Sequence, residues 1–299
     1  MRTGLFWVIL NLILIEIHGS FANSYPSCQH DEPASIGYHH AYSVPFISQA
    51  PEIDGSLDVS LKTLPARSLS MVIKGDDANP ECNIFYRMAY GTQFFYMFIS
   101  INDTNLYTRD RAYQNGDGFN LVMARAKPHG KRTDEFYVLA GAAEKHNSIV
   151  HAKHFFWYYN VHTLFKPTST DTKLQIKKKD DGITFELLLP WTEIYPYHPW
   201  LEDSLGFNLR VVKGTSNGSV NFYYAKMDHR LDSENSTRAY IPLKFNNPHH
   251  VKDHQSYVRL KRNHIQAGDS LGLQIATLSA DTRSTELHTQ INSAEGAII

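Results

Sequence analysis

The chain has 299 residues, enough for one large core or two modest ones. Its formal net charge of −1 gives no electrostatic reason to expect nucleic acid or an anionic membrane surface as a partner. Aromatic residues make up 12% of the sequence, mostly Tyr and Phe, which suit half-buried strands and stacking surfaces.

At the N-terminus, Arg2, the apolar run Leu5–Ile15 and the small residues flanking Phe21 have the layout of a secretory signal peptide, with cleavage expected after Ala22. A membrane anchor needs about 18 or more uninterrupted apolar residues, and Asn11 and Glu16 break this run. The expectation is a secreted or periplasmic protein with no membrane span once residues 1–22 are removed. Residues 23–49 then form an N-terminal extension. The two cysteines, Cys28 and Cys82, either pair in an oxidising compartment and tie this extension to the body of the protein, or remain free thiols. Asn102, Asn217 and Asn235 head N-x-[ST] sequons, which matter only in a host that glycosylates secreted proteins.

From Ser68 onward, strand-like stretches alternate with turn signals. They are Ser68–Lys74, Ile84–Tyr90, Phe94–Asn102, Gly118–Ala124, Glu135–Ala140, Phe155–Asn160, Lys173–Lys178, Ile183–Leu189, Leu205–Lys213, Val220–Met227 and Ala239–Phe245. A helical period is weak everywhere, and one short turn is expected at Pro190–Ile194, with Pro190 as its first residue. This pattern predicts an all-β chain, an antiparallel β-sandwich with jelly-roll or immunoglobulin-like layers, over residues 50–246. The polar run 247–256 reads as a linker. Beyond it, Tyr257–Lys261, Ser270–Leu278 and Thr285–Asn292 are either edge strands of the first domain or the start of a second β domain over 257–299.

Catalytic signatures are missing: there is no G-x-S-x-G, no phosphate-binding glycine loop and no H-E-x-x-H. Two cysteines cannot build a thiolate zinc site. Asp54 with Asp58, or Asp228 with Asp232, are nominal carboxylate pairs for a glycosidase, but their surroundings read as loops. Asp54, Asp58, Asp103 and Asp117 are candidate oxygen donors for calcium, without EF-hand spacing.

The aromatic pattern is more informative. In "HFFWYYN", Phe155, Trp157 and Tyr159 share one strand face, and Phe156 and Tyr158 the other. One face is expected to enter a core and the other to form an aromatic shelf. Trp200, in the Pro-rich "YHPWLED", is the other exposed candidate, whereas Trp191 follows an apolar strand and reads as core. In "RDRAYQNGDGFNLVMA", glycines 116 and 118 predict a sharp turn through positive φ. That turn sets Asp117 at a strand mouth beside Arg109 and Arg111, either as a structural turn residue or as part of a polar site.

Several stretches, in order, resemble family 9 carbohydrate-binding modules: "APEIDGSLD", "FFYMFISINDTNLY", "NGDGFNLVM", "FELLLPWTEI", "LGFNLRVVKG" and "NFYYAKMD". The likeness runs from Ala50 to Phe245 and departs at Val59 and Leu61, where the family carries an acid and then a Trp. It implies a β-sandwich that binds sugars without cleaving them, often with calcium and often attached to glycan-degrading enzymes. On this reading the partner is a mono- or oligosaccharide. Trp157 and Trp200 supply stacking, while Arg111, Asp117 and Asn120 supply hydrogen bonds. Calcium is the one cofactor that the resemblance adds. The alternatives are the front part of a larger secreted glycan-acting hydrolase, or a sandwich that binds haem or a partner protein, with His151, His154 and Met227 as the available haem ligands.

Overall fold

The structure is a computed structural model. It describes residues 41–73, 82–125, 136–159, 163–165, 167–195, 197–201, 205–226, 240–246, 255–260 and 272–278.

Alternating apolar residues dictate strands through most of this length. In chain order they are β1 (Tyr42–Val44), β2 (Arg67–Ser68), β3 (Ser70–Ile73), β4 (Ile84–Tyr90) and β5 (Phe94–Ile101). One helical turn, α1 (Ala112–Asn115), precedes β6 (Gly118–Arg125), β7 (Phe136–His146), β8 (Ile149–Tyr159) and β9 (Thr163–Phe165). Then come β10 (Lys173–Lys179), β11 (Gly182–Pro190), β12 (Leu205–Gly214), β13 (Val220–Tyr224) and β14 (Ile241–Phe245).

Among the described residues these strands build two sheets. The larger runs β1-β14-β12-β6-β7-β8-β9, with β13 and β3 continuing from one end of β12. The smaller runs β10-β11-β5-β4-β2. All pairs are antiparallel except β1–β14. The fold is therefore an antiparallel β-sandwich, as the strand pattern predicts.

The pleat sends alternate residues of each sheet into a shared core. Met97 and Ile99 of β5 and Phe185 and Leu187 of β11 face Phe119 and Leu121 of β6, Leu139 of β7, Phe156 of β8 and Phe207 and Leu209 of β12. Phe119 and Phe185 meet edge to face across the layers, with centroids 5.5 Å apart. Trp191, the core tryptophan of the sequence reading, is buried and donates its Nε1–H to the Gly91 carbonyl at 3.0 Å. It opens a 3-10 turn over Trp191–Ile194. Pro190 does not start that turn; it ends β11 in an extended conformation as the cap.

Each outer face is treated differently. Across the smaller sheet, the segment from Ile47 to Leu64 lays Ile47, Ile53, Leu57, Leu61 and Leu64 over Tyr96, Phe98 and Leu188. A buried carboxylate pins it. Glu186 of β11 accepts the Tyr96 hydroxyl at 2.8 Å and the amides of Gly55 and Asp54 at 2.8 and 3.0 Å. Gly55 sits at φ +82, and a Cβ there would lie 2.8 Å from the Cβ of Lys177, so the Ile-Asp-Gly turn needs its glycine.

The chain divides into two compact units, and the sandwich belongs to the one spanning Gln29–Pro248. In the other unit, the described residues form an antiparallel hairpin of β15 (Gln255–Leu260) and β16 (Leu273–Leu278). Two of the three strands expected after the linker are thus present, and the third lies outside the described residues.

Trp191 fills space in the core and makes a buried hydrogen bond. Trp191→Ala is expected to cost about 3–5 kcal/mol. Urea unfolding should show a lower midpoint with an unchanged slope.

Candidate functional site

The outer face of the larger sheet carries the aromatic shelf. Strands β7 and β8 form a long hairpin closed by Asn147 and Ser148, both at positive φ (48° and 68°), so the two-residue turn matches the sheet's twist. Register then aligns side chains in rows. Arg210, Asn120, Ala140 and Phe155 lie abreast across β12, β6, β7 and β8, and Asn208, Val122, Val138 and Trp157 form the next row.

Near β8, the outward rings of Phe155 and Trp157 stack with centroids 5.9 Å apart and planes 19° from parallel. Tyr113 of α1 closes against both, at 5.3 and 5.8 Å. Phe156 points into the core and is fully buried, while Phe155 and Trp157 are half-buried. The two-faced reading of this strand holds for these residues.

Helical turn α1 lies on the same face because the strands beneath it are small. Ala112 and Tyr113 pack on Ala140 and Ala142. A Cβ on Gly118 would lie 2.5 Å from the Gly141 carbonyl and 2.8 Å from the Tyr113 backbone. The Gly-Asp-Gly turn therefore needs its glycines for close approach. Neither is among the glycines at positive φ, which corrects the expected reason. Asn120 is buried beneath α1 and donates its side-chain amide to the Tyr113 carbonyl at 2.9 Å. Arg109 donates to the carbonyls of Asn115, Gly218 and Thr215, tying the end of α1 to the β12–β13 turn.

The polar residues expected to grip a ligand are mostly spent inside the protein. Asp117 has no exposure. Its carboxylate takes the Tyr107 amide at 3.0 Å, the Gly214 amide at 2.8 Å and the Lys213 ammonium at 3.0 and 3.1 Å. Burial pushes the Asp117 carboxyl up from its ordinary value, against the pull of Lys213 and the two amides. This is the structural-turn alternative, and a ligand cannot reach the carboxylate. Asn120 is removed from solvent likewise. Arg111, at φ +53 before α1, is exposed.

Trp200 is half-buried in the loop after the 3-10 turn, edge-on to His198 at 5.1 Å, with its Nε1 enclosed and without a hydrogen-bond partner. His198 in turn bonds the Thr92 carbonyl of the β4–β5 turn. Among the described residues, Trp200 makes its ring contact with His198, and Trp157 makes its with Phe155 and Tyr113.

In place of Asp117 and Asn120, the β7–β8 hairpin brings other polar groups to the shelf. The outward residues of β8 run His151, Lys153, Phe155, Trp157. Lys153 Nζ lies 5.0 Å from the centre of the Phe155 ring and 3.1 Å from Glu144 of β7. His151 Nε2 is 3.9 Å from the same carboxylate. Glu144, His151 and Lys153 all keep solvent contact. An aromatic ledge edged by a cation, an imidazole and a carboxylate can offer stacking together with donors and acceptors. Sequence reasoning missed Glu144 and Lys153, and named His151 only as a haem ligand, because it started the strand at Phe155; the alternation Val150-His151-Ala152-Lys153 after Asn147 was the available signal.

Three of the calcium candidates, Asp54, Asp103 and Asp117, are already engaged by lysines. Calcium takes six to eight oxygens. Asp117 and Asp103 both converge on Lys213, the latter at 3.5 Å. Asp54 caps Ser56 and lies 3.6 Å from Lys177. Among the described residues no three metal-ligating side chains gather. Of the haem ligands considered, His151 faces Glu144 and His154 bonds the Thr168 hydroxyl at 2.7 Å, while Met227 lies outside the described residues. Cys82 is buried, and burial pushes its thiol pKa up; Cys28, the cysteine with which it either pairs or does not, lies outside the described residues.

No family model matches the chain, and no curated protein does. Solved structures with a similar fold include a family 9 carbohydrate-binding module from Caldicellulosiruptor kristjanssonii in complex with cellotriose, at 12% identity and a TM-score of 0.48, over 69% of this chain and 94% of that one. The same organism's family 9 module in complex with glucose gives 12% identity and 0.46 over 70% and 98%. A candidate carbohydrate-binding protein from Bacteroides uniformis gives 9% and 0.48 over 69% and 100%. These are distant likenesses of fold, and the functional reading rests on the side chains of this chain.

Asp117 neutralises a lysine that is 2% exposed. Asp117→Ala is expected to destabilise the protein by about 3–5 kcal/mol, because it strands a buried charge. Thermal melts of the two proteins side by side check this.

Proposed function

We propose that the chain is a secreted, non-catalytic carbohydrate-binding module whose ligand lies on the outer face of the β7–β8 hairpin. The observation that carries this reading is the half-exposed Phe155–Trp157 stack, edged by Lys153, His151 and Glu144. Sugar rings present C–H faces to aromatic rings, and their hydroxyls take donors and acceptors at the rim. Stacking on one ledge with a few polar contacts implies modest affinity, since binding must offset lost translational freedom and polar desolvation.

Export fits the N-terminal signal layout, which lies outside the described residues. Among the described residues no helix is long and apolar enough to cross a membrane. The linker expected from the sequence, whose last two residues belong to β15, and the β15–β16 hairpin fit a second β region that follows the sugar-binding sandwich in the chain.

Isothermal titration against mono- and oligosaccharides tests the site. At least one sugar should bind. Trp157→Ala should weaken it by about tenfold or more, the loss of roughly 1–2 kcal/mol. Trp200→Ala should leave it within about twofold, as a residue outside the ledge. Absence of binding to every sugar, or equal losses at both tryptophans, sinks the assignment.

A further inference from the structure

The corner formed by the β5–α1 loop, the start of β6 and the end of β12 holds a charge arrangement that the sugar site does not use. Four groups converge on Lys213 Nζ. The Asn105 carbonyl lies at 2.6 Å, the two Asp117 carboxylate oxygens at 3.0 and 3.1 Å, and Asp103 at 3.5 Å. The Tyr107 ring centre lies 4.7 Å away. Lys213 is 2% exposed and the Asp103 side chain only 10%. Two carboxylates, a backbone carbonyl and an aromatic face make a hard, anionic, largely dehydrated cage. The aromatic face and the oxygens suit the ammonium; with the ammonium removed, the four oxygens, completed by water to the six to eight that calcium takes, would suit a divalent cation.

We propose that Lys213 is a built-in cation at a corner otherwise equipped for calcium, so that the chain's own side chain does a metal ion's work there. The physical argument is charge and geometry. Asp103 and Asp117 cannot both be buried and ionised without a counter-charge. The ammonium provides it from within the fold, at no cost in ion capture and with no dependence on external calcium. Its aliphatic stem is buried along with the ammonium. Truncating that stem while keeping the oxygens should therefore convert the corner into a metal site. The inference is independent of the sugar-binding assignment.

The experiment uses the full chain and the variant Lys213→Ser, each melted with a chelator and with about 5 mM calcium, roughly five times the weak end of extracellular calcium affinities. The wild-type midpoint should not move. The midpoint of Lys213→Ser should rise by about 3–6 °C with calcium. Terbium titration gives a second, local readout. The Tyr107 ring beside the cage should sensitise saturable, calcium-displaceable emission in Lys213→Ser. Emission should be lost when Asp117→Asn is added, and should not arise in the wild type. Calcium stabilisation of the wild type that Asp103→Asn abolishes would overturn the proposal. A Lys213→Ser protein that gains no response to either metal, folded or not, would overturn it too.

Discussion

A sheet has two faces, and a sandwich buries only one face of each of its sheets in the shared core. The other face must be covered, solvated or put to use. In this protein the smaller sheet is covered. The chain between Ile47 and Leu64 crosses it, and the buried Glu186 carboxylate accepts two amides of the Ile-Asp-Gly turn. The larger sheet is covered only in part. Helical turn α1 settles on the alanines of β7, and Tyr240 packs against Val122, Phe136 and Val138. The half-exposed rings of Phe155 and Trp157 stand at the limit of that cover.

The same economy explains why the charged turn at Asp117 is not the binding site. A carboxylate at a strand mouth under a tightly packed helical turn is enclosed by its neighbours. Enclosure is tolerable only with full compensation. Tyr107, Gly214 and Lys213 supply it. The turn fixes α1, α1 fixes Tyr113, and Tyr113 abuts the exposed pair. Asp117 thus serves the ledge indirectly, by holding its wall in place. The polar groups at the ledge come instead from the hairpin itself, where solvent contact leaves Lys153, His151 and Glu144 free to exchange partners at little energetic cost.

Much of the architecture was legible in the chain. Apolar stretches bounded by turn signals placed β4, β5, β6, β11 and β12 within a residue or so; β5 and β11 are near-continuous apolar runs because both of their faces are buried. Alternation separated Phe156 from Phe155 and Trp157, and the apolar strand before Trp191 marked it as core. The first half of β8 was missed, because the Asn147-Ser148 turn carries no glycine or proline and Lys153 and His151 read as loop. β1 and β9 were missed as well, since three-residue strands hold too little pattern to register.

What the sequence determined by itself is the class of structure and the two-sided character of its aromatic strand, since both follow from a local period of two. Only the tertiary structure decided which polar residues meet solvent and which are consumed inside. Burial depends on which strand lies next to which: β12 beside β6 brings Lys213 to Asp117, and β7 beside β8 brings Glu144 to Lys153. Lys213 and Asp117 lie 96 positions apart and no local pattern encodes their meeting, whereas Glu144 and Lys153 meet through the Asn147-Ser148 hairpin.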